Sequence, residues 1–327
     1  MKASVRAESW PIRGGFRIAR GARSAAEVVV LELHDGQHSG HAECVPYARY
    51  GESIESVCAE IEAGCRRLHG AEARAEAHAM PSGAARNAID CALWELEAKR
   101  AGQPVWQLAG LDAEPEPVRT MRTVSVGSVD EMRAAALALD GSRVIKVKVD
   151  GGPDLERIEA VHQAVPTASL VVDANEAWSV EQMNAWLPRL PELGVSVLEQ
   201  PLHAGRDSAL DGLPRGVLIC ADESFHDRQS FSSIADRYDM VNIKLDKAGG
   251  LSEALYCMRL AQSSGVQVML GCMVSTSLAI EPALLLAPGA DYVDLDGPLL
   301  LETDREGALH DRGLGLLRPS PSIWGAS

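Results

Sequence analysis

The 327-residue sequence predicts an α/β barrel behind a smaller α+β unit. Three observations carry this. From about Thr120, short apolar strands alternate with helical stretches at nearly constant spacing, which implies parallel βαβ units. Eight such strands in about 180 residues suggest a closed barrel. No Gly-x-Gly-x-x-Gly follows any of them, which counts against the rival doubly wound dinucleotide-binding sheet.

The elements follow in order. Residues 28–33 form a β-branched run ended by the turn signal Asp35-Gly36, and a second strand reaches about Glu43. Residues 53–68 read as an amphipathic helix. Pro81-Ser82-Gly83 opens another, with Ala85, Ile89, Ala92, Leu93 and Leu96 at helical spacing and Gly102 and Pro104 at its end. The eight barrel strands are expected at 121–126, 144–149, 170–174, 195–200, 217–222, 240–245, 266–271 and 292–296. The expected division is 1–112 for the α+β unit and 113–312 for the barrel. A tail of 313–327 is expected to return to the first unit.

Composition sets outer bounds. Hydrophobic residues are 46% and charged residues 24%, ordinary for a globular chain. The net charge of −15 argues against a nucleic-acid partner. No apolar run reaches the length of a membrane span, and no apolar signal core opens the chain. Seven cysteines without a CxxC pair point to a reducing compartment, and a cytoplasmic protein is expected. His38 and His41 have a suggestive spacing but read as part of a turn.

The chemistry is positional. Lys148, Asp173, Glu199, Asp222 and Lys244 each fall at the C-terminal end of an expected strand, separated by 25, 26, 23 and 22 residues. In a barrel, successive strand ends form a ring on the catalytic face. Three converging carboxylates, Asp173, Glu199 and Asp222, repel one another unless a cation joins them. A hard divalent ion, Mg²⁺, suits three oxygen donors without histidine. The alternative is a metal-free cluster paired with the lysines.

Lys146 and Lys148 share a strand face by period two. Two ammonium groups so close disfavour double protonation and pull a lysine down from its usual ~10.4 toward a usable base. Lys148, nearer the strand end, is expected to reach substrate, with Lys146 tuning it and touching the substrate carboxylate. Lys244 stands four strands further round, on the opposite side. A carboxylate substrate between Lys148 and Lys244 has a lysine on each face of its α-carbon, as a 1,1-proton transfer requires. Lys247 is a lesser candidate in the following loop. Asp294 and Asp296, with no assigned cation, suggest a site for a substrate ammonium; a salt bridge to a nearby basic residue is the plainer alternative.

These residues sit in motifs that together resemble the dipeptide epimerases of the enolase superfamily, in the muconate-lactonizing-like subgroup. The motifs are Glu43-Cys44-Val45-Pro46-Tyr47, Arg49-Tyr50-Gly51-Glu52-Ser53, Lys146-Val147-Lys148, Asp173-Ala174-Asn175, Glu199-Gln200-Pro201, Ala221-Asp222-Glu223-Ser224, Asn242-Ile243-Lys244-Leu245-Asp246-Lys247 and Asp294-Leu295-Asp296-Gly297-Pro298. The resemblance implies a modified TIM barrel, (β/α)₇β, under an N-terminal capping domain. It implies Mg²⁺ on Asp173, Glu199 and Asp222, acid/base catalysis by Lys148 and Lys244, and a substrate ammonium on Asp294 and Asp296. Thr123, Lys146, Cys272 and Ser275 fall where similar proteins touch substrate.

It further implies a small-molecule dipeptide substrate, epimerised at its C-terminal residue through an enediolate, with L-Ala-D/L-Glu from murein peptides foremost. Arg20, with Arg23 behind it, lies on a loop that resembles the one reading the glutamate side chain. N-acyl amino acid racemisation, cycloisomerisation and o-succinylbenzoate synthesis remain alternatives on the same scaffold, as does a non-catalytic binding barrel. The oligomeric state, a homo-oligomer included, stays open.

Overall fold

A computed structural model describes residues 1–213, 215–309, 315–317 and 323–325. The first three strands, β1 (Lys2–Ile18), β2 (Gly21–His34) and β3 (Ser39–Cys44), form an antiparallel meander. β1 was not expected. Its side chains are mostly exposed, and Pro11, Gly14 and Gly15 break its alternation, so no apolar period announces it. What sets it in the sheet is pairing with β2 from Lys2↔His34 to Ile18↔Gly21, interrupted by a register shift between Pro11 and Phe16. The stretch at 16–21 is therefore the end of a β-hairpin, not an open loop.

Helices Ile54–Cys65 and Ala84–Ala101 pack on this sheet. The first begins with a capping box between Ser53 and Ser56, which satisfies free N–H groups at the helix start. The second ends at Gly102, whose φ of 61° suits the left-handed C-terminal position.

After the short strand β4 (Val118–Arg119), eight parallel strands follow in sequence order: β5 (Arg122–Val124), β6 (Val144–Lys148), β7 (Ser169–Asp173), β8 (Val195–Glu199), β9 (Leu218–Ala221), β10 (Met240–Ile243), β11 (Gln267–Gly271) and β12 (Tyr292–Asp294). The first and last meet where Met121 N–H donates to Val293 O at 2.8 Å, which nearly closes the barrel. All eight fall within the expected stretches, give or take a residue, but three stop short of the charged residue expected at their ends. Asp222, Lys244 and Asp296 stand just beyond their strands.

Period two explains the barrel's interior. Met121, Val171, Val197, Cys220, Met240 and Met269 form one buried apolar layer inside it. Two residues further along the same strands come Thr123, Asp173, Glu199, Asp222, Asn242 and Gly271. One set of strands thus builds an apolar plug below and a polar layer above, because alternate residues share a face.

β13 (Leu316–Leu317) pairs with β4, and Val105 N–H donates to Gly325 O at 3.2 Å. The other residues of the expected C-terminal tail, 313–314, 318–322 and 326–327, lie outside the described residues. Among the described residues, no helix is long and apolar enough to cross a membrane.

Candidate active site

A cavity opens between the hairpin and the mouth of the barrel. Its lining includes Phe16, Arg20, Arg23, Tyr47, Tyr50, Thr123, Lys146, Lys148, Asp222, Lys244, Cys272, Asp294 and Asp296. The structure thus brings together most of the residues expected there. Asp173 and Glu199 lie fully buried at its floor. Ser275 does not line the cavity; its hydroxyl donates to Met273 O at 3.2 Å.

The polar layer is a mesh of ion pairs. Lys148 Nζ donates to Asp173 Oδ2 at 2.5 Å, and Lys244 Nζ to Asp222 Oδ2 at 2.8 Å. Lys146 is the hub, 2.6 Å from Asp294 Oδ2, 2.7 Å from Glu199 Oε2 and 3.2 Å from Asp173 Oδ2. Asp294 is therefore not free of a cation, contrary to the sequence expectation. Lys146 sits deep enough in the layer to reach past β5 to β12.

For Lys146 the expected lowering is also reversed. Burial alone pulls Lys146 down, but Asp294, Glu199 and Asp173 outweigh it and hold it well above the ordinary lysine range. Lys244 is raised likewise, with burial opposed by Asp222 and Glu199. Carboxylates, not the neighbouring ammonium, dominate the surroundings of both. In turn, Lys244 and Lys247 overcome burial to hold Asp222 well below the usual carboxylate range.

The donor chemistry fits a hard divalent cation. Asp173, Glu199 and Asp222 come from three adjacent strand ends and offer only carboxylate oxygens, which Mg²⁺ prefers. Among the described residues Glu199 Oε2 has no hydrogen-bond partner, its approach from Lys146 being an ion pair without hydrogen-bond geometry. Among the described residues, no three His, Cys, Asp or Glu side chains converge as a finished cage. Lys146, Lys148 and Lys244 pair with the inward carboxylate oxygens instead. His41 rests between Glu32 and Glu95 on the cap, away from this layer.

Asp296 is the second acid of the wall. Its Oδ2 accepts Thr123 N–H at 2.8 Å. Burial, with Asp294 beside it, pushes it up to about 6. At the opposite rim, Arg20 is fully engaged. It donates to Asn175 O (2.9 Å), Tyr47 Oη (2.9 Å), Glu223 Oε1 (2.6 Å) and Glu176 Oε2 (3.3 Å). Arg23 lies over the Tyr47 ring, 5.3 Å from its centroid.

Several residues of this region escaped the sequence reading. Glu176 receives two 2.7 Å bonds from Arg49 and ties the cap to the loop after β7. Asn175 and Glu176, with φ of 44° and 70°, hold the backbone in the left-handed region, a strained state for residues other than glycine. Asn242 donates to Glu199 Oε1 at 2.8 Å. Its signal was available: an asparagine two residues before Lys244, hence on the same strand face.

The comparisons with known proteins agree with this geometry. Residues 1–110 match the mandelate racemase / muconate lactonizing enzyme N-terminal domain family, and residues 129–300 the enolase C-terminal domain-like family. The chain belongs to the enolase superfamily, and it is a barrel enzyme of that superfamily's isomerase branch. It is similar to the L-Ala-D/L-Glu epimerase of Escherichia coli (strain K12), with 48% identity over 92% of this chain and 95% of that protein. It is also similar to an N-acetyl-D-glutamate racemase of a Pseudoalteromonas species, with 41% identity over 85% of this chain and 89% of that one. A solved enolase family member from Agrobacterium tumefaciens, with homology to dipeptide epimerases and bound to sodium and L-Ala-L-Glu, superposes with a TM-score of 0.96. The two are 43% identical over 99% of each chain.

Proposed function

We propose that this protein is a Mg²⁺-dependent dipeptide epimerase that inverts the C-terminal residue of L-Ala-D/L-Glu. The observation that carries this reading is the pair Lys148 and Lys244, four strands apart on the rim of one cavity, with three carboxylates at its base and Asp294 and Asp296 on its wall. A 1,1-proton transfer needs a group on each face of one carbon, and these two side chains come from opposite sides.

Asp173, Glu199 and Asp222 would hold the metal. When bound, Mg²⁺ offsets the charge that builds on the substrate carboxylate as the α-proton leaves. The chain's own groups do the rest. One lysine takes the α-proton as a neutral amine, and the other returns a proton to the opposite face as an ammonium. The Phe16 ring, 5.9 Å from Lys148 Nζ, covers that lysine from the hairpin side and limits water around it. Asp296 receives the substrate's free ammonium, with Asp294 beside it once Lys146 turns toward the substrate carboxylate. Arg20 or Arg23 meets the glutamate side chain, and Thr123 and Cys272 line the passage between. Ser275 acts through the Met273 loop. A cytoplasmic place, a murein-peptide source and the division 1–112, 113–312 and 313–327 belong to this reading; the murein source rests on the resemblance, the place on the cysteines and the division on the strand rhythm.

A second reading, racemisation of an N-acylated glutamate, is favoured by the Pseudoalteromonas relative and by the Lys146–Asp294 ion pair, which leaves Asp294 already matched. One experiment separates the two. Each substrate is incubated with the enzyme and Mg²⁺ in D₂O and followed by mass and chirality. L-Ala-L-Glu is expected to gain one deuterium at the glutamate α-carbon and to yield the D-isomer. Faster turnover of N-acetylglutamate sinks the dipeptide reading. Alanine variants of Lys148 and Lys244 are each expected to lose epimerisation by ~10³-fold or more, while each still exchanges one stereoisomer, and not the same one.

A further inference from the structure

The three floor carboxylates share a division between their two oxygens. Asp173 Oδ1 accepts Asn175 N–H at 2.9 Å, and Glu199 Oε1 accepts Asn242 Nδ2 at 2.8 Å. Asp222 Oδ1 accepts Lys247 Nζ at 2.6 Å. The second oxygen of each faces the lysines that line or underlie the cavity: Lys148 and Lys146, Lys146 alone, and Lys244. So each acid has one oxygen tied to a fixed donor and one oxygen offered inward. For Asp173 the donor is backbone and for Glu199 a neutral amide. Only Asp222 uses a charged side chain.

Lys247 is suited to that task and to no other in view. Its side chain has no solvent exposure, and it does not line the cavity. It sits in the single-turn helix Leu245–Ala248, where its own N–H donates to Lys244 O at 3.1 Å. Its Nζ also donates to the backbone carbonyl of Asp222 at 2.5 Å. One ammonium thus bridges the main chain and the side chain of the same residue. That bridge fixes the side-chain torsion of Asp222 and leaves Oδ2, which accepts Lys244 Nζ, as the oxygen facing the cavity. The Phe225 ring, 5.9 Å away, closes the remaining side.

We infer that Lys247 is a positioning residue for a divalent cation, holding Asp222 as a one-oxygen ligand through Oδ2, and is not a proton carrier. The inference rests on the proposed role of Asp222 as a metal ligand. Donors that orient a ligand from behind typically change metal affinity by ~10–100-fold when removed. A loss of that size is therefore expected for Lys247→Met, with Asp222 left to rotate against Lys244.

The test is calorimetric titration with Mg²⁺ in the absence of substrate, on wild type, Lys247→Met and Lys247→Gln, with thermal melting as a control on folding. Lys247→Met is expected to bind Mg²⁺ ~10–100-fold more weakly. Lys247→Gln keeps a hydrogen-bond donor without the charge; it should fall between, and it carries the test if the methionine variant does not fold. At saturating Mg²⁺ in D₂O, both stereoisomers of L-Ala-Glu should still exchange with the variant. Mg²⁺ affinity equal to wild type overturns the inference. Loss of exchange of a single stereoisomer at saturating Mg²⁺ also overturns it, because that is the signature of a proton carrier. If wild type itself binds no Mg²⁺, the metal reading of Asp222 fails first, and the inference falls with it.

Discussion

Two regions of this molecule bury acids at almost the same depth, and they behave differently. One is the ring at the mouth of the barrel, with Asp173, Glu199, Asp222, Asp294 and Asp296. The other is the seam between cap and barrel, with Glu43, Asp90 and Asp246. In the seam every acid finds fixed protein donors. Asp246 Oδ1 accepts Val45 N–H at 3.0 Å and Asn87 Nδ2 at 2.8 Å. Asp90 accepts Ser252 Oγ at 2.7 Å and Ser252 N–H at 2.9 Å, at the start of the helix Leu251–Ser263. Glu43 accepts Thr276 N–H at 2.8 Å and Arg305 Nη2 at 2.7 Å. In the ring, Asp173, Glu199, Asp222 and Asp294 each turn an oxygen to a long, flexible lysine beside a cavity. Buried charge alone therefore does not mark an active site. What marks it is charge whose partners can move away, next to space that a ligand can enter.

Removal of the cation is the strongest way to break this contrast. Thorough chelation should abolish epimerisation, and Mg²⁺ should restore it, with no change in the seam as judged by thermal melting. Glu199→Gln should weaken Mg²⁺ binding measured by calorimetry, since it removes a charged ligand whose Oε2 has no hydrogen bond to lose. Full activity in a demetallated sample refutes the role given to the ring.

Next in size is Asp296. Truncating it beneath a buried substrate ammonium costs on the order of 2–5 kcal/mol, the range for breaking a buried charge pair. Asp296→Ala should lower kcat/KM for L-Ala-L-Glu by that amount and leave the melting temperature nearly unchanged. A drop in melting temperature that tracks the loss of activity places Asp296 with the seam instead.

The seam makes an opposite prediction. Burial, opposed by Val45 N–H and Asn87, pushes Asp246 up to about 7. An acid raised on folding binds its proton more tightly folded than unfolded, so stability falls as pH rises from about 4 to 7. Every tenfold gain in proton affinity on folding corresponds to ~1.4 kcal/mol, which sets the stability lost across this range on the order of 3–4 kcal/mol. Asp246→Asn retains an oxygen for both donors and should flatten the pH dependence of urea unfolding, gaining most above pH 7. An unchanged pH profile shows that Asp246 is not the group responsible.

The smallest effect belongs to Arg20. Its four partners make it a latch between hairpin and barrel in this structure, and burial is outweighed by Glu223 and Tyr47 in raising it. A substrate glutamate has to compete with Glu223 for it, whereas Arg23, among the described residues, meets only the Tyr47 ring. If Arg20 reads the side chain, Arg20→Met should narrow the gap in kcat/KM between L-Ala-L-Glu and L-Ala-L-Ala, by about tenfold for an exposed charge pair's ~1 kcal/mol and some hydrogen bonding. If the preference survives there and collapses in Arg23→Met, the reader is Arg23.

The ring was legible because its signal is local. A charged residue that ends an apolar strand is visible in the sequence, and the recurrence of such residues at one βα unit's spacing identifies a shared face. Thr123, Asp173, Glu199, Asp222, Asn242 and Gly271 follow from the same period of two, counted from the apolar layer below. The partners were not legible. Lys146 reaches Asp294 across 148 residues of sequence, and Arg20 reaches Glu223 across 203. Which acid a lysine meets depends on how far round the barrel each strand stands and how long the side chain is, and neither is written in spacing along the chain. The hairpin strand β1 was hidden for a related reason. Its place is set by hydrogen bonds to β2, not by an apolar face of its own.

Sequence alone therefore determined the barrel, its ring of acids and lysines, and the helices of the cap, because periodicity and strand ends are properties of neighbouring residues. Tertiary structure decided which charges neutralise which. It handed one oxygen of Asp173, Glu199 and Asp222 to a fixed donor, turned Lys247 onto the back of Asp222, and locked Arg20 among Tyr47, Glu176 and Glu223. Those choices depend on distances in a closed barrel under a cap, where burial makes every unpaired charge costly and the nearest opposite charge, however remote in sequence, takes the contact.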